Sequence, residues 1–178
     1  MGYFLGNQPH NKKKKIIISG IRGIPADHGG FETCAERLSL YLEERGWDVS
    51  VYCQKKGSKK THKTKWNNIN LINVYVSSNS AFSTILFDLK VVIDSLKFRD
   101  HIILTFGYNT AIFNILYRIF NIKNVINMDG IEWKRQKWGF CLKIWFYINE
   151  KIAKLFSNVM IADHPEIKKY CILFFVSL

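Results

Sequence analysis

The sequence predicts a doubly wound α/β domain built on a parallel sheet. Short β-branched runs alternate along the chain with stretches in which apolar residues recur at helical spacing. The helical stretches are long enough to cross back over a sheet, which favours parallel strands joined by right-handed crossovers. The chain has 178 residues, 48% of them hydrophobic and 22% charged, and a domain of that size buries a core without disulfides or metals.

Strands and helices are predicted in alternation. The predicted strands are residues 16–19, 49–53, 69–76, 101–106, 125–128 and 158–162. The predicted helices are residues 31–45, residues 80–98 with Ser80 as N-cap, residues 109–120, and a long helix within 133–156. Residues 55–65 hold six lysines and no acidic residue, so we expect a solvated, mobile loop there rather than a binding patch.

The charge balance predicts an anionic partner. The chain has 26 Lys and Arg against 14 Asp and Glu, a formal net charge of +12. Such a charge attracts phosphate ligands, nucleic acid or an acidic membrane face. No zinc finger, RNP motif or helix-turn-helix is recognisable, so nucleic acid is not the expected partner.

The cysteine pattern favours a reducing compartment. The four cysteines lie far apart without a CxxC pair, which disfavours a disulfide scaffold and a zinc site. We expect no metal and no cofactor. The first residues lack the apolar region of a signal peptide, and no apolar run approaches the roughly 18 residues that span a bilayer. The expected location is the cytoplasm, with peripheral contact at the inner face of the plasma membrane.

A glycine-rich loop, residues 20–32, follows the first predicted strand with the sequence G-I-R-G-I-P-A-D-H-G-G-F-E. Glycines let the backbone approach a ligand, and the helix that opens near Phe31 directs unpaired N–H groups at it, which suits a phosphate or a crowded sugar. The loop lacks the Gly-Lys of a Walker A motif and the spacing of the dinucleotide fingerprint. A tight turn alone would not require the further pair Gly29-Gly30.

Three blocks of sequence carry a resemblance to a known family. The loop with the following Thr33, Ala35-Glu36 and the second strand resembles the N-terminal domain of bacterial family-4 glycosyltransferases, in their rhamnosyltransferase-like group. The block N-M-D-G-I-E-W-K-R, residues 127–135, looks like that group's second hallmark. Residues 161–170 are similar to its closing strand and helix. The resemblance covers residues 16–170.

The resemblance implies one half of a GT-B enzyme. Its Rossmann-like N-terminal domain holds the acceptor, a polyprenyl-diphosphate-linked sugar, and a second domain holds the nucleotide-sugar. We expect a basic extension at residues 1–14, the domain at 15–170 and an apolar tail at 171–178, without the donor half. The expected function is acceptor binding in cell-surface polysaccharide synthesis, without turnover by this chain alone. The alternative is a non-catalytic basic α/β domain that binds phosphate-containing ligands or nucleic acid.

Asp129 is the candidate catalytic residue, since it follows the strand 125–128 at the carboxyl edge of the sheet. Its carboxylate can polarise an attacking hydroxyl or cap a helix, and the sequence leaves both interpretations open. The candidate substrate-binding residues are Arg22, Gly23, His28, Gly29, Gly30 and Glu132.

Each polar residue in this set has a chemical reason. Arg22 brings a cation to any phosphate bound by the loop, and His28 exchanges a proton near neutral pH. Glu132 can accept hydrogen bonds from sugar hydroxyls, although capping is the favoured role for it. Glu32, in the first helical turn, is expected to interact with the helix dipole and to hold the loop.

Overall fold

Strand β1 (Lys15–Ser19) lies inside the sheet because isoleucine side chains cover both of its faces. Ile17 and Ile18 are fully buried and Ile16 is nearly so, the pattern of a strand that is packed on two sides. The structure is a computed structural model and describes residues 13–27, 29–78 and 80–176.

One sheet contains all the strands of the described residues. After β1 come β2 (Asp48–Lys56), β3 (His62–Trp66), β4 (Ile69–Val76), β5 (Ile102–Phe106), β6 (Lys123–Met128) and β7 (Val159–Ala162). Their order is β3-β4-β2-β1-β5-β6-β7, and neighbours are parallel except for the pair β3 and β4. The order therefore reverses between β1 and β5, and ligands of doubly wound sheets bind at this switch point.

Helices connect the strands. They are α1 (Gly30–Glu44), α2 (Ala81–Ser95), α3 (Ile115–Ile119), α4 (Phe140–Phe156) and α5 (Pro165–Val176), with 3-10 turns at Ala111–Asn114 and Glu132–Lys134. Ser80 caps α2 as predicted, because its Oγ accepts a 3.2 Å hydrogen bond from the Ser83 N–H. None of the helices in the described ranges is long and apolar enough to cross a membrane.

The core has a layer on each face of the sheet, because alternate side chains of a strand point to opposite faces. Ile16 and Ile18 pack in the layer that contains Ala35 of α1. Ile17 packs in the layer that contains Phe87 of α2. A third cluster, in which Met128 of β6 contacts residues of α4 and α5, closes the far end of the sheet.

The predicted fold class is confirmed, whereas the loop predicted for residues 55–65 is wrong. Strand β2 continues to Lys56, and β3 occupies His62–Trp66. Four of the five β3 side chains are exposed, so no apolar pattern marks the strand. Backbone pairing with β4 holds it in place, together with a 2.9 Å hydrogen bond from Asn73 Nδ2 to Thr64 Oγ1.

One helix is shorter than predicted, since residues 109–120 divide into a 3-10 turn and the five-residue α3. The long helix predicted within residues 133–156 is confirmed: it is α4, which begins at Phe140 after the N-cap Gly139. Side-chain hydrogen bonds of Trp133 and Trp138 hold the segment before it, residues 129–139, outside an α-helix. Asp129 and Glu132 therefore cap no helix: the N-caps are Ile131 for the 3-10 turn and Gly139 for α4.

Candidate functional site

The glycine loop is held by two glutamates of the helix that follows it. Oε1 of Glu32, which is only 8% exposed, accepts a 3.1 Å hydrogen bond from the backbone N–H of Arg22. Glu36, one turn later, accepts a hydrogen bond from the backbone N–H of Ala26. The prediction that Glu32 holds the loop is confirmed.

The N-terminus of α1 is open. Its N-cap is Gly29, which offers no side-chain hydrogen bond. A Cβ on Gly30 would meet nothing within 4 Å, so space lies in front of the first turn. The first N–H groups of a helix have no partner within it, and they bind anions or other oxygen acceptors placed there.

A cavity of about 560 Å³ lies in front of this helix start, and we call it the α1 cavity. Its walls combine the start of α1 with residues at the carboxyl ends of β6 and β7: Gly29, Gly30, Phe31, Glu32, Cys34, Asn127, Asp129 and Asp163. Three of the predicted site residues, Gly29, Gly30 and Asp129, therefore line one cavity.

Carboxylates line the α1 cavity together with the start of α1, and they belong to Asp129 and Asp163. Asn127 also lines it but is only 6% exposed, and its Oδ1, which has no hydrogen-bond partner among the described residues, is buried. Burial raises the pKa of Asp129, and the charges of Glu132 and Asp163 raise it further, while Arg135 opposes them. Carboxylates disfavour a bare phosphate beside them, whereas sugar hydroxyls both donate to carboxylates and accept from amides. Of the two predicted ligand types, the geometry favours the sugar.

The carboxylate of Glu132 is engaged within the protein. Its carboxylate accepts 3.0 Å hydrogen bonds from Trp138 Nε1 and from Arg135 Nε. Its backbone N–H donates to the hydroxyl of Tyr108 at 2.6 Å. The side chain is 8% exposed, so in this structure it fixes the path of residues 129–139 and lies outside the α1 cavity.

Arg22 and Gly23 lie on the other side of Glu32. Gly23 has φ +142°, and a Cβ there would come 3.0 Å from Cys53. Both residues line a cavity of about 460 Å³ between the loop and Lys55 at the end of β2. The described residues offer no partner to the exposed Arg22 guanidinium. His28 lies outside the described residues.

A larger cavity of about 590 Å³ lies at the switch point, and we call it the switch-point cavity. It is bordered by the carboxyl ends of β1 and β5 and by α2 and α4, and its polar wall includes Asp88, Thr105 and Thr110. Burial raises the pKa of Asp88 to about 6, although the hydrogen bond from Thr110 opposes the rise. No sequence pattern marks this cavity, because Asp88 lies in the middle of an apolar helix. Glu32 borders both this cavity and the α1 cavity.

The fold and the site define the class of this protein: it is a Rossmann-like α/β domain with cavities along the carboxyl edge of its sheet. The chain belongs to the family described as a domain of unknown function, DUF1972, whose model matches residues 13–174. A search of curated proteins finds no match.

Three solved structures align with the chain at low identity. One from E. coli, described as trehalose-6-phosphate bound with UDP-2-fluoro glucose, has a TM-score of 0.44 and 17% identity, over 65% of this chain and 32% of its own. A UDP-forming trehalose-phosphate synthase from Burkholderia xenovorans has a TM-score of 0.47 and 14% identity, over 83% and 38%. The same type of enzyme with glucose-6-phosphate has a TM-score of 0.45 and 9% identity, over 83% and 40%. The chain spans about a third to two fifths of their lengths.

Proposed function

We propose that this chain is the acceptor-side domain of a glycosyltransferase. The observation that carries the proposal is the α1 cavity, in which the uncapped start of α1 lies beside the carboxylates of Asp129 and Asp163. Amide donors on one wall and carboxylate acceptors on the other match the hydroxyl groups of a sugar. The sequence blocks that resemble family-4 glycosyltransferases, residues 20–33 and 127–135, are the two segments that meet there.

In the proposed reaction a sugar passes from a nucleotide-sugar to an acceptor hydroxyl. Asp129 accepts a hydrogen bond from that hydroxyl, and its raised pKa makes it a stronger base than an ordinary aspartate. The first amides of α1, at Gly29 and Gly30, donate to a neighbouring hydroxyl of the acceptor sugar and so orient the reacting hydroxyl at Asp129. The family resemblance implies retention of configuration.

The nucleotide part of the donor is held by a second domain in this proposal. The departing diphosphate carries the developing charge, and interactions with it contribute most to catalysis. Orientation of two substrates is worth roughly 7–11 kcal/mol of the barrier, so a domain that binds one of them does not turn over. We expect the 178-residue polypeptide by itself to bind acceptor without transferring sugar.

The finer parts of the proposal concern the substrates and the location. The resemblance suggests rhamnosyl transfer to a polyprenyl-diphosphate-linked sugar in polysaccharide synthesis. Phe82 and Phe140, at the starts of the helices that border the switch-point cavity, are 74% and 78% exposed. Exposed aromatic rings beside a net charge of +12 are suited to the surface of an anionic membrane. Binding to anionic vesicles that salt abolishes, with none to neutral vesicles, is the expected result.

The test is a reconstituted transfer reaction. The chain is incubated with nucleotide-sugars and a lipid-linked sugar acceptor, with and without a separately expressed donor domain of the same family, and product is measured by mass. Product is expected only with the donor domain, and Asp129→Asn should remove most of it. The matched control is Glu166→Gln, an equal charge loss at an exposed pair with Lys169. Turnover by the chain alone would contradict the two-domain proposal, and salt-sensitive binding of nucleic acid without transfer would favour the phosphate-binding alternative.

A further inference from the structure

The switch-point cavity has the size and position of a small-molecule site. Its volume of about 590 Å³ lies within the range of ligand pockets, roughly 300–1,000 Å³. It opens at the carboxyl ends of β1 and β5, where the strand order reverses. On α2 its lining residues Ala81, Thr84, Ile85 and Asp88 recur at helical spacing, so a single helix face forms that wall.

Aromatic rings form the opposite wall. Trp138, Trp145 and Phe146 line the cavity from α4 and from the segment before it. Trp138 Nε1 donates to Glu132 at 3.0 Å, and Trp145 Nε1 donates to the backbone oxygen of Asn109 at 2.8 Å. Since both indole N–H groups are occupied elsewhere, the rings present only carbon to the cavity.

The polar wall carries an acceptor that the protein does not use. Thr110 Oγ1 donates to Asp88 Oδ2 at 2.9 Å, while no described residue donates to Oδ1. Arg22 and Glu32 are the other charged residues of the lining, and Glu32 already accepts from the Arg22 N–H. Asp88 lies in apolar surroundings where its charge is unfavourable, and its pKa of about 6 leaves it mostly ionised at neutral pH.

Carbon faces on one side and a carboxylate with threonine hydroxyls on the other are complementary to a sugar ring. A pyranose has an apolar face of C–H groups that packs on aromatic rings. Its hydroxyls donate to a carboxylate, and hydrogen bonds to a charged acceptor are about twice as strong as neutral ones. An isoprenoid or acyl tail would fit the carbon wall equally well and would leave the carboxylate desolvated without a partner.

We propose that the switch-point cavity binds a sugar ring, with Asp88 as the acceptor for its hydroxyl groups and Trp138 and Trp145 as its stacking wall. The identification of this ring as the acceptor's sugar rests on the proposed function. The sugar site itself does not depend on that function, since it is argued from the cavity alone.

Two exposed cysteines allow each cavity to be monitored in one sample. Cys141 lines the switch-point cavity and Cys34 lines the α1 cavity, and both are exposed free thiols. The other two, Cys53 and Cys171, are buried, and burial raises the pKa of both thiols, which slows alkylation. The rate of iodoacetamide alkylation at each site is measured by peptide mass spectrometry, with methyl α-glucopyranoside, methyl α-rhamnopyranoside or geranyl phosphate as the added probe.

At least one glycoside is expected to slow alkylation of Cys141 by about threefold when present at twice its dissociation constant for the switch-point cavity, whether or not Cys34 is protected as well. Asp88→Asn should lose most of this protection, and Glu166→Gln should retain it. Equal alkylation of Cys141 with and without glycosides would overturn the proposal. Protection of Cys141 by geranyl phosphate alone, in the unmutated chain and in Asp88→Asn alike, would also overturn it. Glycosides that protect Cys34 but not Cys141 would have the same meaning. Glycoside protection without transfer by any donor domain would retain the sugar site and refute the proposed function.

Discussion

The glycine loop follows β1 and residues 129–139 follow β6. Each segment is held by a glutamate that is 8% exposed, yet the two segments are held through different atoms. Glu32 accepts from a backbone N–H of the loop. Glu132 accepts from the side chains of Arg135 and Trp138, and Trp133 Nε1 of the same segment donates to Glu150 of α4 at 2.9 Å.

The difference shows where sequence changes are tolerated. A loop fixed through its backbone depends on residues that permit its dihedral angles and close approaches, and hence on glycine. A segment fixed through side chains depends on the identity of those side chains and on the buried carboxylates that receive them. The comparison is tested by substitutions that change either the backbone conformation of the glycine loop or the side-chain contacts of residues 129–139, but not both.

The largest effect is expected at Glu150, which anchors the side-chain-held segment. It is fully buried, pairs with Lys154 at 2.8 Å, and accepts from Trp133 Nε1 and from the Tyr170 hydroxyl. Glu150→Ala leaves the buried Lys154 ammonium without its carboxylate, which costs about 3–5 kcal/mol. Urea denaturation measures the loss, and Glu166→Gln, at an exposed pair, should change stability by less than about 1 kcal/mol. A loss below about 1 kcal/mol for Glu150→Ala would show that the anchor lies elsewhere.

The next largest effect is expected at Gly20 in the backbone-held loop. Its φ is +78°, and a Cβ there would overlap the carbonyl group of Phe106 in β5. Gly20→Ala should cost about 2–4 kcal/mol, from the left-handed conformation together with the overlap. Gly46 also has φ +78° but has nothing within 4 Å of a Cβ, so Gly46→Ala should cost only about 1–2 kcal/mol. Equal losses of stability in the two variants would show that the overlap with the Phe106 carbonyl group adds nothing to the cost of Gly20→Ala.

Asp88 extends the comparison to a carboxylate that does not hold the fold. Burial raises its pKa to about 6 in the folded state, above the ordinary value of an aspartate, so the folded state binds the proton more tightly than the unfolded chain. The resulting stability is present at acid pH and is lost as the pH rises through 6. Asp88→Asn should therefore raise the free energy of unfolding at pH 7 by about 1–3 kcal/mol, with the gain vanishing below about pH 4.

Asp100 provides the control of opposite sign for that titration. Its hydrogen bond from Lys15 lowers the pKa to about 2, so its contribution is present at neutral pH and is lost as the pH falls through 2. Asp100→Asn should lower stability at pH 7, while Asp88→Asn raises it. Urea denaturation of both variants between pH 2 and 8 measures the two slopes, and the same sign for both would contradict the assignment for Asp88.

The smallest effect on stability is expected at Gly30, where function should change most. A Cβ there meets nothing within 4 Å, and alanine is favoured over glycine in a helix by about 0.5–1 kcal/mol. Gly30→Ala should leave the protein as stable as before or slightly more so. The added methyl enters the α1 cavity, so reconstituted transfer should fall. Full transfer by this variant would mean that ligands do not approach the helix through its backbone.

The sequence was sufficient to predict which loops meet at the carboxyl edge. In a parallel sheet the strand ends share one edge, so Gly29 and Asp129 were expected on the same side of the molecule, and the structure places both in one cavity. Glu132 was harder to place, because its role depends on Trp138 and Arg135 folding back onto it. That path comes from tertiary contacts that no local pattern encodes.

The position of Asp88 and the strand β3 could not be predicted from hydrophobic periodicity, for two different reasons. In α2 the apolar residues Phe82 and Ile93 are 74% and 56% exposed, while the serines Ser83 and Ser95 are buried. Hydrophobicity alone therefore does not identify the inner face of this helix or the position of Asp88 at the switch-point cavity. Strand β3 is recognisable only from its partner, since its pairing with β4 depends on backbone groups and its side chains are exposed.

The two edges of the sheet have opposite chemistry, and this decides in which direction the sheet can grow. At the β3 edge, any strand laid alongside would have to accommodate the exposed Lys63 and Lys65, and lysines on an edge prevent uncontrolled pairing. At the β7 edge, Val159 and Ile161 are 53% and 43% exposed, and the strand carries no charge. A strand laid against the β7 edge would meet fewer charges than one at the β3 edge, so we expect any strand that pairs with this sheet to pair with β7.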